Sequence, residues 1–235
     1  MRLDKYLSGS GKGSRKDIKQ LLKSGIVSVN DKCIKDPAYK VNETADLVKI
    51  GEEEIIYREF IYLMLNKPAG YVSAVFDKKL PVVTDLVPPE YAHFEVFPVG
   101  RLDIDTEGLL ILTNDGALTH RVLSPRSHVN KTYYAKCALP IKEEDTEAFR
   151  DGVVLDDGYK TMPALLEVGD SPSECFITIK EGKFHQVKRM MEAVGNKVEY
   201  LKRIRMGSLN LDPGLEKGKI RELTQEEIIM MEEKE

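Results

Sequence analysis

The sequence predicts an α+β fold in two parts, a small helix pair plus sheet over residues 1–58 and a mixed, largely antiparallel domain over residues 59–235. Three observations carry this prediction. Leu3, Tyr6 and Leu7, then Ile18, Leu21 and Leu22, fall at helical spacing, and the alternating stretch "IVSVN" follows them. From "FIYLMLNKPAGYVSA" onward, strand-like apolar runs are separated by Gly and Pro, and long amphipathic helical segments are few. Between the two parts, at "IGEEEIIYREF", glutamates replace the basic residues and a linker begins.

In the front part, Ser14 with Asp17 three positions later reads as a variant capping box, and Gly25 stands where a helix C-cap glycine belongs. Asn30-Asp31 then supplies the turn of a small hairpin. With the apolar positions of the second helix facing inward, Arg15, Lys16, Lys19 and Lys23 lie on or near its exposed side, where backbone phosphates can dock. The glycine-rich "GSGKGS" lacks the G-x-x-x-x-G-K-[ST] spacing of a nucleotide phosphate loop.

At 235 residues the chain suits one large domain plus a small appendage. Its 42% apolar and 31% charged content is that of a globular protein, and no apolar run approaches the roughly 18 residues of a membrane span. The N-terminal stretch has no apolar leader pattern, and Cys33, Cys137 and Cys175 are isolated from one another, so a cytoplasmic protein with reduced thiols is expected. Cys137 and Cys175 lie inside apolar stretches and read as core. The net charge is -4, yet it is segregated: residues 1–40 hold ten Lys or Arg against four Asp, and residues 180–205 hold eight against three Glu. Residues 222–235 balance them with six Glu against one Lys. For polyanion binding such local patches matter more than the overall charge.

The stretch "GRLDIDTEGLLILTNDG" sets Asp103, Asp105 and Glu107 at every second position before a buried strand. A short strand ending at "PVG" and the strand "LLILTNDG" would hold Asp103 in a loop between rigid elements, where catalytic groups are common, although a polar turn accounts for the same residues. Carboxylates at i and i+2 do not fix the separation that glycoside hydrolysis demands, and that reading leaves the basic front module unexplained. His93, His120, His128 and His185 show no zinc-ligand spacing with the cysteines. Neither a G-x-S-x-G elbow nor a G-x-G-x-x-G after a strand is present.

Residues 1–58 resemble the S4 RNA-binding module. "GRLDIDTEGLL", "NKTYYAKCALP" and "EGKFHQVKRM", in that order, resemble the pseudouridine synthase family, and within it the branch typified by the ribosomal small subunit enzyme. The resemblance covers essentially the whole chain. It implies isomerisation of a uridine within RNA by an aspartate, without cofactor or metal. It also implies ribosomal RNA as partner, with U516 of 16S rRNA as the target, on free RNA or on a partly assembled small subunit; with no long heptad or exposed apolar repeat in the sequence, a monomer is expected. A 23S rRNA enzyme of the same branch and a non-catalytic assembly factor on the same fold are the alternatives.

Carried over residue by residue, the resemblance makes Asp103 the catalytic carboxylate and Lys188 the cation that keeps it ionised. Arg189 is the alternative cation or a phosphate ligand. Tyr133 would stack on the flipped base and Ile179 either face it or fill the core, while Tyr134 points to the opposite face as core. Arg101 would enter the RNA or position a phosphate. Lys67, in the "NKPAG" turn, would lie near RNA, as would Arg15, Lys16 and Lys19. Asp105 and Glu107 are left as solvent-facing or structural.

Overall fold

The computed structural model describes residues 1–124 and 129–233, so His128 lies outside the described residues. Contacts divide the chain into two compact units, Met1–Ile61 with Pro88–Glu95, and Tyr62–Val87 with Val96–Glu235.

In the first unit, α1 (Leu3–Gly9) and α2 (Arg15–Ser24) precede the strands β1 (Val27–Val29), β2 (Lys32–Cys33), β3 (Val48–Ile50) and β4 (Glu53–Glu54). These strands form an antiparallel sheet in the order β2-β1-β3-β4. The capping box closes as the sequence predicts: the Ser14 hydroxyl accepts from the Asp17 N–H at 3.3 Å, and the Asp17 carboxylate accepts from the Ser14 N–H at 2.9 Å. Gly25 ends the helix in the left-handed region at φ 78°. Asn30 and Asp31 take φ 50° and 62°, the paired positive angles of a tight hairpin turn. Leu3, Leu7, Ile18, Leu22 and Val27 are fully buried between helices and sheet. A later segment returns to this unit, where the Arg58 guanidinium lies 5.5 Å above the ring of buried Phe94. Nothing local in the sequence marks that return.

The second unit begins with β5 (Tyr62–Lys67), β6 (Phe97–Pro98), β7 (Glu107–Thr113), α3 (Gly116–Leu123), β8 (Lys131–Cys137) and α4 (Glu143–Asp151). It continues through β9 (Leu165–Val168), β10 (Glu174–Ile179), α5 (Gln186–Ala193), β11 (Val198–Met206), β12 (Leu209–Asn210), β13 (Ile220–Glu222) and α6 (Gln225–Glu232). Among the described residues the strands form one mixed sheet, with the path β13-β5-β7-β11-β8-β10-β9, β12 beside β11 and β6 beside β7. Between these strands only the β7–β11 pairing is parallel among the described residues. Met64, Leu109 and Ile111 bury against Leu118 and Val122 of α3 and Met231 of α6. No helix among the described residues is long and apolar enough to cross a membrane.

The parallel pairing explains the glycine of "EGLLIL". Gly108 adopts φ 100°, and a Cβ there would stand 2.2 Å from the carbonyl oxygen of Arg203 across the pair. Gly108→Ala is therefore expected to cost at least about 3 kcal/mol, from backbone strain and from a collision that no side-chain rotation relieves. Urea unfolding checks this, and a loss below about 1 kcal/mol would show that the two strands can part cheaply.

Cys137 and Cys175 are buried free thiols with sulfurs 4.0 Å apart, while Cys33 is exposed. Tyr134 departs from the core role expected of it. It is half-buried on the opposite face of β8 from Tyr133, with its ring against those of Phe176 and Tyr200 at 5.7 and 6.1 Å.

Candidate active site

Asp103 sits in the loop between β6 and β7, and that loop is held from beneath. The Lys67 ammonium donates to the carbonyls of Thr106 at 2.8 Å, Asp103 at 3.1 Å, Pro68 at 3.1 Å and Ile104 at 3.4 Å. The Ser73 hydroxyl bonds both backbone groups of Leu102, and the Gly70 N–H donates to the Ile104 carbonyl at 2.7 Å. The Lys67 side chain is fully buried, and burial pulls its pKa down to about 8 despite the nearby Asp105 and Asp103. This corrects the expectation that Lys67 contacts RNA. Its stem runs inside the domain, and its charge is engaged by four backbone carbonyls.

The carboxylate of Asp103 meets two basic groups of the segment around α5. Its Oδ2 lies 3.2 Å from Lys188 Nζ, and its Oδ1 lies 3.5 Å from His185 Nε2. Lys188 donates a shorter bond, 2.6 Å, to Asp105. Burial works to lower the Lys188 pKa, but the carboxylates of Asp105 and Asp103 outweigh it and hold the lysine above its ordinary value. The same pairing brings Asp105 below the usual carboxylate range against the opposing effect of burial. Lys188 therefore stays an ammonium across the neutral range, shared between two carboxylates.

The sequence leaves Asp105 without a role in the site, because a side chain 66% exposed gives no apolar pattern to read. His185 is the other unforeseen neighbour. It holds φ 50° at the start of α5, a left-handed conformation uncommon for a residue with a side chain. Gln186 is 4% exposed and fixes this turn, accepting from the Lys183 N–H at 2.9 Å and donating to Glu181 at 2.8 Å.

Asp103, Arg101, Tyr133 and Ile179 line a slot of about 70 Å³. Arg101, Tyr133 and Lys183 also line a cleft of about 830 Å³, within the size range of small-ligand sites. Tyr133 is 7% exposed and stands between Ile177 and Arg203 on the neighbouring strands. Ile179 is 2% exposed, so it both fills the core and faces the slot. The Thr106 hydroxyl, also at the slot, is buried without a hydrogen-bond partner among the described residues. A carboxylate paired with an ammonium beside an aromatic wall suits nucleophilic or base chemistry on a flat heterocycle.

The remaining candidates are dispersed. Arg101 is exposed and makes no ion pair among the described residues. Arg189 does not reach Asp103: its guanidinium is paired with Asp156 at 2.5 Å and Asp157 at 2.7 Å, which neutralises the charge a phosphate ligand would use. Glu107 is structural, 8% exposed and held by the Tyr200 hydroxyl at 2.6 Å and Lys217 at 2.7 Å. In the first unit, Arg15, Lys16, Lys19 and Lys23 all stand exposed along α2, opposite buried Ile18 and Leu22.

Both parts of the chain have counterparts among known proteins. Residues 61–193 match the family model of RNA pseudouridylate synthase, and residues 1–47 match that of the S4 domain. An uncharacterized RNA pseudouridine synthase of Bacillus subtilis is 50% identical, over 99% of both chains. The ribosomal small subunit pseudouridine synthase A of Vibrio cholerae is 43% identical over 97% of this chain and 98% of its own. A crystal structure of a pseudouridylate synthase superposes with a TM-score of 0.70 at 35% identity, covering 98% of this chain and 99% of that one. On matches of this extent, with an S4 domain in front, the chain belongs to the RNA pseudouridylate synthase family.

Proposed function

We propose that this protein converts a uridine of small-subunit ribosomal RNA, U516 of 16S rRNA, to pseudouridine, acting as a monomer in the cytoplasm. Asp103 is the reacting carboxylate, Lys188 its countercharge, and Tyr133 the surface on which the flipped uracil stacks. The observation that carries the reading is the Asp103–Lys188 pair at 3.2 Å, beside a cleft that Tyr133 lines. The small-subunit assignment is supported by full-length relatives whose names state that substrate, such as the one from Vibrio cholerae.

A uracil stacked in a stem cannot be reached, so the nucleotide leaves the stack and enters the cleft. The N1–C1′ bond then breaks with its electron pair on the uracil, the ring turns, and C5 joins C1′. C5 loses a proton and N1 gains one, so the isomerisation balances without an oxidant or a group donor. Asp103 must be ionised at the moment it acts, and the Lys188 ammonium offsets the cost of enclosing that charge under the substrate. Arg101, exposed at the mouth of the cleft, meets the RNA backbone or the space that the base vacates.

The test is pseudouridine mapping of 16S and 23S transcripts, bare and with ribosomal proteins bound, after incubation with the protein. One new pseudouridine at U516 is expected. Modification of 23S rRNA alone replaces the substrate assignment and leaves the reaction standing. Tight binding with no modification of either RNA moves the protein to the assembly-factor reading.

The exposed basic face of α2 is assigned to phosphate binding. The combined variant Arg15→Gln, Lys16→Gln, Lys19→Gln is then expected to weaken binding and flatten the plot of log affinity against log salt by about two, at roughly 0.7–0.9 for each phosphate no longer neutralised. Turnover at saturating RNA should not change. An unaltered slope in filter-binding titrations would remove α2 from the interface.

A further inference from the structure

Between β10 and α5 the chain makes a braced turn that the isomerisation does not use. Glu181 accepts from the Gln186 side chain at 2.8 Å and from the Tyr159 hydroxyl at 2.7 Å, and Lys183 Nζ lies 4.5 Å above the Tyr159 ring. This frame presents Phe184 with 74% of its surface exposed. One face of its ring is covered by the His185 imidazole, with centroids 3.7 Å apart and planes 19° from parallel. The other face has no ring against it among the described residues. His185, in turn, stands 3.5 Å from Asp103.

Single exposed apolar side chains are normal on protein surfaces and need no explanation. Ile56 and Ile229, exposed at 71% and 61%, are of that kind. Phe184 differs in three respects. It is flat, it is already half of a parallel stack, and that stack ends at the carboxylate of the candidate site. Its neighbours Lys183 and Gly182 line the cleft that Tyr133 and Arg101 share.

We propose that Phe184 is the stacking platform for the nucleobase adjacent to the flipped uridine, completing a stack of base, Phe184 and His185 beside Asp103. The inference rests on the reading of RNA as substrate and deepens it. Extruding one nucleotide leaves its neighbour with a bare face, and single-stranded RNA is commonly held by aromatic rings that cover such faces. The contact is apolar and planar, so it adds affinity without reading base identity and without responding to salt. The contact is made alike in the bound substrate and in the transition state, so Phe184 is a binding residue whose loss shows in KM and not in kcat.

The chain contains no tryptophan, so Phe184→Trp places a single fluorophore at this point. In an Asp103→Asn background, which holds the RNA without turnover, its emission is titrated with a 16S rRNA transcript. Saturable quenching is expected, at the same midpoint as filter binding. In parallel, Phe184→Ala is expected to raise KM about tenfold, the size of one base–aromatic stack. Its kcat should stay within about twofold and its salt slope should not change, and Phe184→Tyr should restore KM.

RNA binding with no change in tryptophan emission overturns the proposal. So does a fall in kcat at unchanged KM in Phe184→Ala, which would make Phe184 a prop for His185 instead. The two readings can fail separately. If the wild-type protein isomerises no uridine but the tryptophan is quenched, the reaction assignment falls and the stacking contact stands. If RNA is not bound at all, both fall.

Discussion

Asp103→Asn is expected to lower kcat at least about a thousandfold while leaving RNA affinity and stability nearly unchanged, because removing a reacting acid–base or nucleophilic group typically costs that much or more. Asparagine keeps the shape of the side chain and removes only its charge. Lys188 does not lose its anchor in this variant, since its shorter bond, at 2.6 Å, runs to Asp105. The usual penalty for orphaning a charge is therefore avoided. Single-turnover assays on the transcript, together with thermal unfolding, separate the two quantities. Turnover within about tenfold of wild type would take the catalytic role away from Asp103.

Lys67→Met is expected to damage both stability and turnover. Methionine fills much of the same tunnel but donates nothing, leaving the carbonyls of Pro68, Asp103, Ile104 and Thr106 without the ammonium. At about 1–3 kcal/mol for each buried group left unpaired, and allowing for relaxation of the loop, the loss should be about 3–5 kcal/mol. A loop that shifts by about 1 Å also moves the carboxylate, so kcat should fall about a hundredfold.

The variant has a pH signature as well. Burial lowers the Lys67 pKa from 10.5 to about 8 in the folded protein. Between those values the unfolded chain holds a proton that the folded chain sheds, so this group makes the unfolding free energy rise as pH increases through that window. Lys131, also lowered to about 8 by burial and by Arg203, contributes the same rise in both proteins. Urea unfolding at about pH 7.5 and 9.5 should show a smaller gain in Lys67→Met than in wild type. Equal gains would mean that folded Lys67 keeps its ordinary pKa.

What the sequence makes legible is what lies close together along it. The Ser14–Asp17 box, the Gly25 cap and the Asn30-Asp31 turn are each closed by residues a few positions apart, so their chemistry is visible in the string itself. The motif around Asp103 is legible in the same way, as a polar loop followed by a wholly buried strand.

Lys67 is misread because three of its four carbonyl partners lie 36 to 39 residues downstream. A lysine beside a Pro-Ala-Gly turn carries no sign that backbone carbonyls will enclose it. The pairing of Arg189 with Asp156, 33 residues away, and the bond that solvent-facing Asp105 accepts from Lys188, 83 residues away, are hidden for the same reason. The return of Pro88–Glu95 to the first unit is likewise a matter of tertiary packing.

The parallel pairing of β7 with β11 also bears on the protein's own synthesis. The strand that follows Asp103 is closed by a residue far along the chain, since Arg203 donates to the Leu109 carbonyl at 2.8 Å across 94 residues. Lys188 too follows β8 in the sequence, so a partly translated chain that has emerged only as far as β8 carries Asp103 without Lys188 and β7 without its partner β11. Pairings of such sequence separation form late and slowly. Pairing of Asp103 with Lys188 therefore waits on the synthesis and folding of the later segment, and a chain cut after β8 is expected to carry the carboxylate unpaired by that lysine.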